Sequence, residues 1–374
     1  MSSSGSDIRK GIEQNWHEYL SKYANLFSSN EIHGSSPPSV FVGSYGYPKV
    51  GIGPMLPPIH GDTSLLDAPE RWLGKSLEEI VNYRLNLVRG IQKTGIEETS
   101  GRFIESLHEL AMSSGTIDSE IKFLKNPAPL PSIDGQNAPF GPIGEIKSAK
   151  FSPNSSIKPI ENAYYDTDLK SEDAVMKLYN SGIEISKIQK CFSIGMFGKN
   201  RKLVPTKWSI TATDQIISNN LMHDILEFDI IDRYNIFHFD HLGNLFSIIL
   251  FPHRWLFEMQ EAWHDKNSIG FGSDHETAKG INHPPSIAGA YFAGKLAVTE
   301  YLQKIKKQSG VMIFREIQPE YAVPVGVWQV REGIREAMKK HPQEANSLNE
   351  AIDLATKRMS ISKNEWLAHG SMLK

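Results

Sequence analysis

The chain has 374 residues, 40% of them apolar, enough to bury a large core as one big domain or two interleaved ones. Its 40 basic and 43 acidic residues leave a net charge of -3, which excludes a histone-like coating protein and requires any nucleic-acid partner to be gripped by a local basic face. Cys191 is the single cysteine, so intrachain disulfides and multi-cysteine zinc fingers are excluded; without a membrane-length apolar run or a secretory signal in MSSSGSDIRKG, the sequence predicts a soluble, intracellular protein.

Ile8 to Phe27 reads as an amphipathic docking helix, because Ile12, Trp16, Leu20, Tyr23 and Phe27 recur three to four positions apart. Residues 1–33 are therefore expected to form a docking helix and linker. From Gly34 to Pro58, glycine and proline alternate with short strand candidates such as Val40–Val42, giving a layer of constrained corners. Tyr45, Tyr47 and Lys49 in this stretch suit either local packing or a nucleic-acid strand, whose bases stack on rings and whose phosphates attract ammonium groups. Asp67 before Ala68-Pro69 suits an N-cap, and helices follow through Leu77, Ile80, Tyr83, Leu87 and Val88 and from Phe103 to Met112. NPAPLPSIDGQNAPFGP, residues 126–142, reads as a long loop and a soft boundary, so 34–142 forms a second segment and 143–374 the main mixed region.

Asp166 and Asp168 suit the amide end of a helix through Ala174 and Leu178, which stops near Gly182 before another short helix. Then comes KNRKLVPTKWSITATD. Lys199, Arg201, Lys202 and Lys207 crowd ahead of Trp208, Ser209, Thr211, Thr213 and Asp214, as in a surface that holds phosphates and offers one stacking ring, or in a charged turn that feeds a sheet edge. The upstream Ser193–Gly198 glycines match neither the phosphate loop of ATPases nor the dinucleotide fingerprint. Asp214 is expected at or just before a helix from Gln215 to Leu226.

Two strands, Ile236–Phe239 and Leu245–Leu250, flank a hairpin turn at His241–Asn244. The run from His253 to His264 has helical spacing, which would set Glu258 and Glu261 on one face. With Asp274 and Glu276 they are candidate oxygen ligands for Mg²⁺ or Mn²⁺. A core helix is expected from Ser286 to Lys307 and a strand from Val311 to Ile317. Arg331, Arg335 and Lys339 then share a helix face that an anion, or the neighbouring Glu332 and Glu336, would neutralise.

The phrases FVGSYGYPKVGIGPMLPP, DTSLLDAPERW, DTDLKSEDAV, RKLVPTKWSITATD, WLFEMQEAW and VPVGVWQVREGIREAM occur in order between Ser36 and Met338, and together they resemble the archaeal Nre family of DNA repair proteins. The resemblance implies a role in the DNA damage response in the archaeal cytoplasm. That family's better-known branch carries an N-terminal cysteine zinc motif, which a chain with Cys191 alone lacks. Members are also associated with the sliding clamp through a C-terminal glutamine, aliphatic and paired-aromatic peptide. SISKNEWLAHGSMLK contains no such peptide, so direct clamp binding is not expected by that route, while other repair proteins remain candidate partners.

Residues and resemblance together predict a DNA-binding repair factor. Lys199, Arg201, Lys202, Lys207, Arg331 and Arg335 are its candidate phosphate contacts, and Tyr47 and Trp208 its stacking rings. An alternative is a metal-dependent phosphodiesterase using Asp214, Asp274 and Glu276; others are a non-catalytic scaffold and a nucleotide-binding protein. The expected fold is α/β or α+β, a mixed sheet with surrounding helices rather than a dinucleotide-binding fold.

Overall fold

The computed structural model describes residues 21, 28–128, 141–152, 154–265, 268–281, 283–321 and 323–371. The docking helix expected over Ile8–Phe27 and most of the loop at 126–142 lie outside them. The architecture is α+β. Its described residues fall into two compact units, one within Glu13–Ile217 with Pro324–Gly326, the other within Ser218–Val323 and Val327–Lys374.

The first unit holds a six-stranded sheet of β1 (Glu31–Ser36), β2 (Val40–Val42), β3 (Lys49–Leu56), β4 (Val88–Gly95), β5 (Ile117–Phe123) and β6 (Ile143–Phe151), in the order β1-β5-β6-β4-β3-β2. Only β4 and β6 run parallel. Ile32, Leu56, Val88, Ile121 and Phe123 form one buried cluster on it. Helix α1 (Leu77–Leu85) starts at a capping box in which Ser76 and Glu79 satisfy each other's backbone amides. It ends at Leu85 rather than continuing through Val88, which opens β4. Helices α2 (Arg102–Met112), α3 (Lys158–Tyr165), α4 (Ser171–Asn180) and α5 (Ile185–Ser193) follow. Asp67 is not an N-cap: it closes a short 3-10 turn and lies buried between Arg84 and Lys190, with Lys190 Nζ 2.9 Å from its carboxylate.

Helix α6 (Thr206–Ile225) begins immediately after Pro205, so TKWSITATD is helical and not a sheet edge. Pro205 can precede a helix because the first-turn amides have no intrahelical acceptor in any case. Asp214 accordingly sits in mid-helix, not at its start.

The second unit holds β7 (Tyr234–His241), β8 (Asn244–Phe251), β9 (Leu256–Asp265), β10 (Ser268–Thr277), β11 (Gly310–Ile317) and β12 (Gln343–Ala345), in the order β10-β9-β11-β8-β7-β12. The β7–β8 hairpin turns through Leu242 and Gly243, both with positive φ, 51° and 68°, as a tight two-residue turn requires. β9 corrects the helix expected over residues 253–264. Glu, Met, Gln and Ala favour helix locally, but pairing with β10 on one side and β11 on the other overrides that preference.

Helices α7 (Ala288–Ile305) and α8 (Trp328–Ala337) pack against one another, and α7 approaches the sheet so closely that a Cβ on Gly294 would stand 2.9 Å from Met259 Sδ. The other sheet face buries Ile249, Ala262, Met312 and Phe314 with Ile352 of α9 (Leu348–Thr356) and Trp366 of α10 (Lys363–His369). No helix among the described residues is long and apolar enough to cross a membrane.

Candidate nucleic-acid interface

In the first unit the chain returns twice to one surface. Strand β2 leads into the turn Ser44–Tyr47, where Lys49 N–H donates to the Gly46 carbonyl and Gly46 takes φ +84°; a Cβ there would lie 2.8 Å from the Lys49 carbonyl oxygen. Tyr45 projects at the tip, 95% exposed, and Tyr47 is half exposed. From the other direction α6 presents Trp208 in its first turn, 44% exposed. The rings of Tyr47 and Trp208 meet edge to face, centroids 5.2 Å apart and planes at 64°.

Hydrogen bonds hold the two contributors together. The amide of Val42 donates to Thr206 Oγ1 at 3.0 Å, and Ser193 Oγ donates to the Val204 carbonyl at 2.7 Å. Ile96 N–H donates to Pro48 O and Leu203 N–H to Ile96 O, so the 195–206 loop, β4 and the aromatic turn form one hydrogen-bonded chain. The rings therefore stand on a preorganised frame.

The four cations of the basic block disperse around this frame. Lys207 lies next to Trp208, partly buried in the helix's first turn. Lys202 Nζ sits 2.9 Å from Glu97; that hydrogen bond raises its pKa, with Tyr47 among the lesser contributors. Arg201 turns to a second aromatic group: its guanidinium covers the Tyr164 ring at 4.9 Å and donates to the Tyr164 carbonyl, while Tyr165 beside it is 70% exposed. Lys199 is exposed.

Arg331 and Arg335 belong to the second unit. Arg331 is buried with Nε 3.3 Å from Glu332; Arg335 makes a two-pronged contact with Glu300, at 2.7 and 2.6 Å, and a third bond to Glu332. Their positive charge is satisfied within the fold, by the neighbouring glutamates foreseen at Glu332 and by Glu300, which only the packing of α7 against α8 brings near.

The acidic candidates also separate. Asp214 is fully buried in the first unit and accepts from Gln189 Nε2 at 3.2 Å. In the second unit, register sets Glu261, Asp274 and Glu276 on one sheet face and Glu258 on the opposite one. Glu261 lies 2.5 Å from Arg315, which also binds Asn244 and Gln329. Asp274 accepts from the Ile287 amide and the Ser286 hydroxyl, with His283 3.4 Å away. Glu276 accepts from Trp255 Nε1 at 2.9 Å, Tyr291 Oη at 2.7 Å and Lys295 Nζ. Burial and then this carboxylate hold the Tyr291 phenol protonated far above its ordinary range. Glu258 accepts from Ser273 and from the Ser371 amide. Each carboxylate thus already has internal hydrogen-bond donors.

Among the described residues, the one trio with potential metal-ligating atoms within 4.8 Å of one another is Glu31, His33 and Glu120. Its carboxylates already meet Lys122 and Lys150, at 3.3 and 3.4 Å. Sequence reasoning missed this trio because His33 and Glu120 become neighbours only through the β1–β5 register. It also missed the Arg201–Tyr164 stack, for which no spacing signal exists.

Family models described as "Archaeal Nre, N-terminal" and "Archaeal Nre, C-terminal" match residues 10–269 and 276–374. The chain is 36% identical over 351 residues to a protein of Archaeoglobus fulgidus named DNA repair protein NreB, covering 92% of this chain and 89% of the relative. It is 35% identical over 345 residues, 89% and 86% of the two chains, to DNA repair protein NreA of the same organism. Against DNA repair protein NreA of Haloferax volcanii it is 29% identical over 372 residues, 94% and 89% of the two. No solved structure matches the chain.

Proposed function

The chain belongs to the archaeal Nre family, and on that premise we propose that it is a DNA repair factor that binds DNA through the aromatic and basic surface of its first unit. The repair role rests on relatives that bear that description and align along nearly all of both chains. The observation that carries DNA binding is the exposed Tyr47–Trp208 pair, centroids 5.2 Å apart, with Lys202 in electrostatic reach of Tyr47 and Lys207 preceding Trp208 in the chain.

Clustered exposed rings suit a partner that covers them, and the lysine beside Tyr47 favours an anionic one. DNA supplies both a π-face and a phosphate. The phosphodiesterase reading has less support, since Asp214, Asp274 and Glu276 are engaged with separate internal donors rather than converging on one point.

Salt-dependent binding tests the proposal. Affinity for short DNA, followed by fluorescence anisotropy, is expected to fall linearly in log–log form as salt rises, because each neutralised phosphate releases condensed counterions. Salt-independent binding, or none at low salt, would remove this reading in favour of a scaffold.

A further inference from the structure

We infer that the surface built by Tyr45, Tyr47 and Trp208 takes single-stranded DNA, stacking its unpaired bases while Lys49, Lys202 and Lys207 hold its phosphates. This deepens the proposed function and rests on it.

Three features select an unpaired strand. Tyr45, Tyr47 and Trp208 are all exposed, at 95%, 50% and 44%, and lie on only two short pieces of chain that hydrogen bonds tie together. Stacking needs the face of a base, and in an intact duplex those faces are covered by neighbouring base pairs everywhere except at the ends. Rings offered in this way would find no partner along a duplex; a single strand offers one at every nucleotide.

The cations are of the matching kind. Lysine neutralises a phosphate as a mobile point charge, whereas arginine's planar fork reads guanine edges in the major groove. Lys202 interacts electrostatically with Tyr47, Lys49 and Lys207 adjoin the ring-bearing stretches in the chain, and the basic block's one arginine, Arg201, is already turned onto Tyr164. Such a surface tracks a backbone and accepts any base. Glu97, paired with Lys202, is itself exposed, so a phosphate can displace it without uncovering a buried charge.

The frame also argues for a strand and against a protein partner. A peptide-binding surface needs an apolar groove around its aromatic anchors. Here Lys49, Lys202 and Glu97, on the stretches that bear or adjoin the rings, are exposed charged groups rather than apolar ones.

The test compares fluorescence anisotropy of labelled oligothymidylate, a blunt hairpin duplex and a gapped duplex on the full chain. The single strand and the gap are expected to bind more tightly than the hairpin. Tyr47→Ala and Trp208→Ala should each weaken single-strand binding about tenfold, with little change on the hairpin, while Tyr47→Phe keeps the stacking face and the affinity. Tyr45→Ala guards against a folding artefact, since a side chain 95% exposed contributes little to the core; its expected loss is smaller and in the same direction.

Equal or tighter binding to the hairpin, or single-strand affinity unmoved by both alanine variants, would overturn this inference and leave DNA binding standing. Failure to bind any of the three DNAs at low salt would overturn the proposed function itself.

Discussion

Lys295 Nζ stands 2.8 Å from Glu276 Oε1, both side chains almost wholly excluded from water, on a helix and a strand that no local signal joins. The pair lies in the middle of a polar chain that runs from Asn219 through Lys295 and Glu276 to Tyr291 and Trp255. These bonds tie strand and helix together through one carboxylate.

Removing one partner leaves an uncompensated buried charge. Lys295→Ala and Glu276→Ala are each expected to destabilise the protein by about 3–5 kcal/mol in urea denaturation, whereas the double change to apolar residues of similar volume should recover much of that loss. A Glu276→Ala protein as stable as the parent would show that the network is not needed for folding.

Asp67 links stability to pH. Burial alone would raise its pKa, but Arg84 and Lys190 and the hydroxyl of Ser39 outweigh burial, and the net direction is down. Its folded pKa is therefore below its unfolded value of about 3.9, so the stabilisation is complete above that value and is lost as pH falls through the folded one. Chemical denaturation repeated at successively lower pH should show stability falling below about pH 4. The Asp67→Asn protein should be less stable at neutral pH and should lose less on acidification.

Cys191 is expected to be inert in the native protein. Burial pushes its thiol pKa up to about 11, and Sγ points to the Ala111 carbonyl at 3.6 Å. The thiolate that a disulfide reagent needs is scarce and shielded. Labelling followed by absorbance should proceed at the rate of opening and become fast in denaturant; immediate labelling of folded protein would contradict this burial.

The basic residues should divide by unit. Lys207→Ala is expected to reduce the slope of log affinity against log salt by about 1, the signature of one lost phosphate contact. Arg335→Ala, which removes a cation already held by Glu300 and Glu332, should leave DNA affinity within error while lowering the melting temperature. A loss of DNA affinity in Arg335→Ala would move the interface to the second unit.

Residue order alone was sufficient for the elements whose signals are local. The helix at Arg102–Met112, the β7–β8 hairpin with its glycine turn, strand β11 and the helix that contains Arg331 all follow from periodicity and turn chemistry over a few residues. The aromatic and basic residues Tyr47, Lys202, Lys207 and Trp208 were legible as types, but a packing ring and a stacking ring, or a charged turn and a phosphate site, look the same in sequence.

Tertiary structure decided which of these residues meet. Glu258 and Glu261 sit three apart, which on a helix means one face and in β9 means opposite faces, and only pairing with β10 and β11 makes the segment a strand. Arg335 and Lys207 look alike in sequence, yet Glu300 arrives beside one through helix packing while the other stays at the surface next to Trp208. Tyr47 and Trp208, 161 positions apart in the chain, become a ring pair only in the fold, where Val42 also donates a hydrogen bond to Thr206. Local propensity reports what one stretch prefers; hydrogen bonding and burial between distant stretches determine which charges are neutralised inside and which remain at the surface.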